Sequence, residues 1–155
     1  MPQLHRLQND KLGRLLHDVV YQRIINFCTE YTPEIPAQVI ADTWMQRVYN
    51  NDNNLHIILD LDGQYNVLGH AVIDLQDHFG YKVVHCYQVQ GDKKGSMLET
   101  AFGMEYLDKL AASVGAYYTI FYVKKNIKAL EKYGYKAART AMLKSHITEQ
   151  AMESH

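Results

Sequence analysis

The chain has 155 residues, of which 47% are hydrophobic and 21% are charged, and its net charge is −1. These values are typical of a single globular domain and exclude collagen-like, coiled-coil and disordered chains. We expect one domain over 1–144 and a polar tail over 145–155. No apolar run reaches the roughly 20 residues of a membrane span, and the first ten residues lack the apolar core of a secretion signal, so we expect a cytoplasmic protein.

Two helices are predicted first. Apolar residues recur at three- and four-residue steps from Leu12 to Phe27, which predicts an amphipathic helix over about 10–29. The next segment, 29–36, contains two prolines and ends that helix. A second helix is predicted over about 36–49, since Pro36 suits the first turn of a helix.

Three strands are predicted next, because the apolar pattern changes to a period of two residues over 55–61. Two further apolar runs follow over 67–75 and 81–90, with turn residues between the three runs. Consecutive strands joined by short turns predict an antiparallel meander.

The second half predicts a parallel step in the sheet. Ser96 and Glu99 form a capping box that begins a long helix, and Gly115 ends it. The segment 116–123 is apolar or aromatic apart from Thr119, which predicts a strand covered on both faces. A crossover helix favours a right-handed parallel pair with the preceding strand. A short helix from Asn126 to Tyr133 and a terminal strand over 135–143 complete the prediction.

The fold class is therefore α+β, with a mixed, mostly antiparallel sheet and helices on both faces. This order of elements, together with NIKALEKYGYK at 126–136, resembles the GNAT superfamily of acyl-CoA-dependent N-acyltransferases. The resemblance covers about 55–144, and it implies that the two N-terminal helices bind the acceptor. The acceptor contacts it suggests are Glu30, Tyr31 and Glu34.

In that family a loop of the form Gln/Arg-x-x-Gly-x-Gly/Ala binds the CoA pyrophosphate through backbone N–H groups. Gly95 matches the central glycine, but Asp92 stands where Gln or Arg is usual, and Met97 where Gly or Ala is usual. A carboxylate there would repel a pyrophosphate unless Lys93 or Lys94 offsets it. Glycines before a helix N-terminus also favour an anion on physical grounds. The resemblance implies that acetyl-CoA, or another acyl-CoA, binds at Tyr87, Val89, Gly91, Lys93, Lys94, Gly95, Ser96 and Asn126.

The family's fourth and fifth strands splay apart to admit pantetheine, which maps here to 87–90 and 118–122, with the Val89 N–H on the thioester carbonyl. Leu130 stands where the family's usual acid, a tyrosine, is expected, so Tyr122 and Tyr133 are the candidate acids. His85 is the candidate base, because an imidazole titrates near neutral pH. His70 and Asp74, on one face of the preceding strand, are weaker candidates.

Two functions follow from this pattern. The first is an N-acyltransferase that moves an acetyl or similar group from acyl-CoA to an amine of a small molecule or protein, as a monomer or homodimer. The alternative is a catalytically degenerate, virus-like member that binds a protein or nucleic acid through a basic patch over 122–144, which holds seven bases and one acid. Nucleic acid is the less favoured partner. The eight histidines and two cysteines are scattered and predict no metal site.

Overall fold

A computed structural model describes residues 3–92, 101–122 and 127–138, together with residues 142, 144 and 146. The elements in this part of the chain are β1 (Gln3–Arg6), α1 (Lys11–Tyr31), α2 (Ala37–Tyr49), β2 (Leu55–Leu61), β3 (Val67–His78), β4 (Tyr81–Gly91), α3 (Ala101–Ser113), β5 (Tyr118–Phe121) and α4 (Ile127–Glu131). No helix within these ranges is long and apolar enough to cross a membrane.

Helix α1 has the buried face that the periodicity of its apolar residues predicts. Its start is capped by Asp10, whose carboxylate accepts a hydrogen bond of 2.8 Å from the Gly13 N–H. One face of the helix is buried at four-residue steps, at Leu16, Val20, Ile24 and Cys28. The predicted helices over 10–29 and 36–49 are therefore confirmed to within two residues.

The sheet has the strand order β1-β2-β3-β4-β5. Strands β1 to β4 are antiparallel neighbours, and β5 is parallel to β4, which confirms both the predicted meander and the parallel step. Strand β1 was not predicted. It has only four residues, too few for an alternating pattern to stand out, and pairing with β2 stabilises it.

Helices cover both faces of the sheet, as predicted. On one face α1 and α2 pack against Ile57, Leu59 and Val72. On the other face α3 packs through Leu107, and Val84 belongs to the same cluster. Alternate residues of each strand point to opposite faces of the sheet. The side chains of β3 and β4 that face α1 and α2 are therefore a different set from those that face α3.

Two expectations for the C-terminal part need correction. Strand β5 is not covered on both faces, because Tyr118 is 37% exposed and the adjoining Tyr122 is 52% exposed. The terminal strand predicted over 135–143 is not formed at residues 135–138, where Tyr135 instead packs its ring against Phe121 at 5.0 Å. The capping box at Ser96, which was predicted to begin the long helix, lies outside the described residues.

Candidate functional site

The candidate site begins at an irregularity in β4. Val72 pairs with Gln88 whereas Ile73 pairs with Cys86, so Tyr87 is an extra residue without a partner in β3. Such a β-bulge bends a strand and redirects its side chains. In the part of the chain that the structure describes, the pairing of β4 with β5 ends at Cys86 and Phe121. The two strands therefore part at the bulge, and the splayed segment on the β5 side begins after Phe121 rather than at 118 as predicted.

Beyond the bulge, β4 directs backbone groups toward this open edge. The Asp92 N–H donates to the Leu68 carbonyl at 2.8 Å, which makes these residues a hydrogen-bonded pair of the ladder. Hydrogen-bonded and non-hydrogen-bonded pairs alternate along antiparallel strands. Val89 and Gly91 are the intervening residues, so their N–H and C=O groups point away from β3. Both were expected to contact the cofactor.

His85 and Tyr122 form a hydrogen-bonded pair at the same point. The His85 Nδ1 atom and the Tyr122 hydroxyl oxygen are 2.8 Å apart. The two rings are nearly parallel, at 12°, and the Tyr87 ring lies parallel to Tyr122 within 8° with 5.2 Å between centroids. His85 is buried whereas Tyr122 is about half exposed, so Tyr122 is the accessible member of the pair.

Burial tunes both members of this pair. It lowers the pKa of His85, so the imidazole is unprotonated at neutral pH and can accept a proton. It also raises the pKa of Tyr122, so the phenol keeps its proton. A neutral imidazole hydrogen-bonded to a neutral phenol can relay a proton without a buried charge in the resting state.

An ion pair fixes the strands beside this pair. The guanidinium of Arg47, on α2, holds both carboxylate oxygens of the buried Asp74 at 2.8 and 3.0 Å, and it also contacts Asp52 at 2.7 Å. Gln76 donates to Asp74 at 2.9 Å and to the Tyr87 hydroxyl at 3.1 Å. Asp74, a weaker candidate base in the sequence, thus has both carboxylate oxygens bonded to Arg47 and one of them also to Gln76.

Arg23 of α1 reaches the far end of β4. Its guanidinium lies 3.3 Å from an Asp92 carboxylate oxygen and 3.4 Å from the Gln90 carbonyl, and its Nε lies 3.3 Å from the His70 Nδ1. The charge of Asp92, which looked unfavourable for a pyrophosphate site, is therefore offset by Arg23. Lys93 and Lys94, the residues expected to offset it, lie outside the described residues.

His70, the other weaker candidate base, is a buried link in this network. Its Nε2 lies 2.9 Å from the Gln88 side-chain oxygen, and Gln88 donates to the Cys28 sulfur at 3.2 Å. His70 must then donate from Nε2 and accept from Arg23 at Nδ1, which is the neutral form. Burial lowers the pKa of His70 to about 4.

Protein stability should therefore fall when the pH is lowered below 6.5. The unfolded chain takes up a proton at His70 near pH 6.5, but the folded chain resists it until about pH 4. The free energy of unfolding should drop by about 2 kcal/mol between pH 7 and pH 5 from this group. Urea denaturation of the wild type and of His70→Gln across this range measures the effect. An equal decline in both proteins would contradict it.

The remaining predicted residues are dispersed. Glu30, at the end of α1, and Glu34, in the segment between α1 and α2, are exposed. Tyr31 packs its ring against Phe27 at 4.6 Å. Tyr133 is 43% exposed, and within the described ranges no ring contact or hydrogen bond joins its side chain to His85 or Tyr122. The other predicted cofactor contacts, Gly95, Ser96 and Asn126, lie outside the described residues.

Sequence reasoning missed Arg23, Arg47 and Trp44 as parts of the site. Each lies on an amphipathic helix and contacts the sheet, and Trp44 does so with its ring centroid 5.9 Å from that of Tyr87. The available signal was a set of polar residues on two buried strands, His70, Asp74, His85 and Gln88, since buried polar groups need partners. The helices were the elements that could supply them.

Comparison with known proteins supports this description of the fold. No protein-family model and no curated protein sequence matches the chain. Among solved structures, one described as a probable acetyltransferase matches with a TM-score of 0.68 at 10% identity, over 95% of this chain and 99% of that one. An acetyltransferase from Trypanosoma brucei matches with a TM-score of 0.63 at 22% identity, over 92% and 98%. Glucosamine-6-phosphate N-acetyltransferase from Arabidopsis thaliana matches with a TM-score of 0.60 at 15% identity, over 94% and 99%.

The matches span nearly the whole of each chain, with the same α+β architecture. The chain therefore shares the GNAT-like fold of these acetyltransferases, which its sequence pattern predicted.

Proposed function

We propose that this chain is an N-acetyltransferase that moves an acetyl group from acetyl-CoA to an amine. The observation that carries the proposal is the open edge of β4, where β4 and β5 part beside the hydrogen-bonded pair of His85 and Tyr122. Acetyl transfer to an amine needs a place for the thioester, a hydrogen-bond donor for its carbonyl oxygen and a group that takes the amine proton. This edge offers all three.

The residues at the edge fit an acyl-CoA. Val89 and Gly91 direct backbone N–H groups away from β3. The Gly91 N–H can pair with an amide carbonyl of a pantetheine arm, as in an added strand, which leaves the Val89 N–H for the thioester carbonyl. Arg23 neutralises Asp92 at the end that would receive the phosphates. When bound, acetyl-CoA supplies an acetyl thioester with an electrophilic carbonyl carbon.

Tyr122 and His85 together offer a route for the proton. Tyr122 is about half exposed where β4 and β5 part, and its hydroxyl lies 2.8 Å from the His85 Nδ1. Tyr122 can take the amine proton at its oxygen while its own proton passes to the imidazole. His85 can later return that proton through Tyr122, which also serves the departing thiolate. The backbone N–H of Val89 can hold the negative charge that develops on the carbonyl oxygen.

Calorimetric and thermal-shift titrations with CoA and acetyl-CoA test the proposal. A ligand at 100 times its Kd stabilises the folded state by about 2.7 kcal/mol, which should raise the Tm by roughly 5 to 10 °C in a chain of this size. Thiol release from acetyl-CoA in the presence of an amine panel then tests catalysis. Failure to bind CoA at millimolar concentration would refute the proposal.

The second candidate function is a binding module without catalysis. It is favoured by the exposure of all four described bases of the basic patch, Lys128, Lys132, Lys136 and Lys144. If these bases serve nucleic acid, affinity in gel shifts should fall steeply as salt rises, because counterions are released on binding. Tight, salt-sensitive binding together with no CoA binding would favour this alternative.

A further inference from the structure

The hairpin that joins β3 to β4 carries an aromatic ring in an unfavourable place. Its two-residue loop consists of Phe79 and Gly80, between the paired residues His78 and Tyr81. Both loop residues have left-handed backbone, with φ angles of 53° and 85°. Loops of this kind favour Asn, Asp or Gly, because a bulky side chain on left-handed backbone is strained. Phe79 is also 88% exposed, so its ring stays in solvent.

Three exposed tyrosines lie beside this loop. The ring centroids of Tyr81 and Tyr117 are 4.5 Å apart, and those of Tyr117 and Tyr118 are 6.1 Å apart. His78 joins Phe79 to this group, since its ring lies 4.6 Å from that of Phe79 and its Nδ1 lies 3.3 Å from the Tyr118 hydroxyl oxygen. Tyr117 is 70% exposed, and Tyr81 is about half exposed. Phe79, Tyr81, Tyr117 and Tyr118 together are called the aromatic tip.

The aromatic tip is large enough to be the centre of an interface. Its four residues expose about 500 Å² in total, if a whole aromatic residue has about 200 Å². Two such surfaces that covered each other would bury up to about 1000 Å² from these residues alone. That area is the lower bound for a specific protein interface, and the polar residues around the rings would add to it.

The charges next to the aromatic tip are balanced. The segment 77–82 contains one acid and one base, Asp77 and Lys82, and their charged groups are 3.4 Å apart. The segment 115–118 contains neither acids nor bases. Two identical surfaces can meet only where their charges do not repel, and a neutral, tyrosine-rich surface meets that condition. Nucleic acid or an anionic membrane would instead be attracted by an excess of bases, which these two segments do not have.

We propose that the aromatic tip is the centre of an interface between two copies of this chain. The two copies are related by a two-fold axis, so every contact occurs twice. Phe79 of each copy packs over the stacked rings of Tyr81 and Tyr117 of the other copy, which removes these rings from water. The inference concerns assembly and does not depend on the proposed function.

Sedimentation velocity of the full chain between 1 and 200 µM tests the inference. The mass should rise with concentration from the 17.9 kDa of one chain to twice that value. Phe79→Asn should raise the dissociation constant at least about 100-fold, because each dimer loses two anchor rings and truncation of one anchor commonly costs tenfold or more. Asn suits left-handed backbone, so the variant should fold. Urea denaturation at a concentration where the wild type is monomeric should show no loss of stability in Phe79→Asn.

Tyr65→Asn is the matched control. Tyr65 also has left-handed backbone, with a φ angle of 63°, and is about half exposed, but it lies in the turn at the opposite end of β3. This change removes an exposed ring and relieves the same kind of strain, and it should leave the dissociation constant unchanged. In a second experiment, p-benzoylphenylalanine in place of Phe79 should give a covalent dimer on irradiation. Mass spectrometry should place the cross-link at Tyr81 or Tyr117.

Four results would overturn the inference. They are a monomer mass at 200 µM, a dimer that Phe79→Asn leaves intact, equal weakening of the dimer by Phe79→Asn and Tyr65→Asn, and cross-links from position 79 to residues outside the aromatic tip. Phosphatidylcholine vesicles test the other occupant. If the chain stays monomeric but sediments with vesicles, and Phe79→Asn abolishes this binding, the aromatic tip binds lipid and the inference is wrong.

Discussion

His85→Gln and Tyr122→Phe should each lower turnover by roughly 10² to 10⁴, the usual contribution of general acid–base catalysis. His85→Gln keeps a polar side chain and removes the imidazole that accepts the proton. Tyr122→Phe keeps the ring, which is stacked against His85 and Tyr87, and removes only the hydroxyl 2.8 Å from Nδ1. Acetyl-CoA affinity should change little in either variant, because neither atom belongs to the backbone edge of β4.

The double variant distinguishes a relay from two independent contributions. If the proton passes through both side chains, His85→Gln with Tyr122→Phe should cost little more than either change alone. The wild-type pH profile should lose activity on the acid side below pH 6.5, because burial lowers the pKa of His85 and the protonated imidazole cannot accept a proton. This acid limb should vanish in His85→Gln. Wild-type turnover in that variant across pH 6 to 9 would show that His85 is structural.

Tyr133→Phe tests the candidate acid that lies outside the pair of His85 and Tyr122. Tyr133 was the second candidate acid in the sequence, and it lies in the turn after α4, where its N–H donates to the Leu130 carbonyl. Because that bond involves the backbone, the change should leave the local structure intact. Turnover close to wild type would assign the proton transfer to Tyr122, whereas a loss as large as that of Tyr122→Phe would place it at Tyr133.

Most of the fold could be predicted from the sequence because its elements are long and amphipathic. Helix α1 repeats apolar residues at three- and four-residue steps, and β2 alternates apolar with more polar residues, so both periods could be recognised. Strand β1 was missed because it has four residues and its stability comes from pairing with β2. Burial of β5 was overestimated because an apolar, tyrosine-rich strand has the same sequence pattern whether its rings are buried or exposed.

The site was predictable only in part, for a different reason. His85 could be selected from its chemistry and its strand, but its partner Tyr122 lies 37 residues away and became visible only through the parallel register of β4 and β5. The bulge at Tyr87 leaves no mark in the sequence, since one extra residue in a strand does not break an alternating pattern that is already irregular. The sequence does not tell whether the side chains of Arg23 and Arg47 lie in solvent or against the sheet, because long basic side chains on helix faces are usually exposed.

Arg47→Met should destabilise the protein by about 3 kcal/mol, since it leaves the carboxylate of Asp74 buried without its bidentate partner. For a chain of this length the Tm should fall by roughly 6 to 12 °C. Asp74→Asn is expected to cost less, because it leaves a guanidinium that is 28% exposed and still bonded to Asp52. The double variant Arg47→Met with Asp74→Leu should recover much of the loss, as an apolar pair often replaces a buried ion pair at little cost.

The recovered double variant also tests what the ion pair does for the site. Asp74 is hydrogen-bonded to Gln76, which also donates to Tyr87, so removing both charges leaves the hydrogen-bonded pair of His85 and Tyr122 in place. A folded double variant should then keep its turnover number. Urea denaturation establishes the folding, and thiol release from acetyl-CoA measures the turnover. A single Arg47→Met change that leaves the free energy of unfolding unaltered would show that Asp74 is solvated.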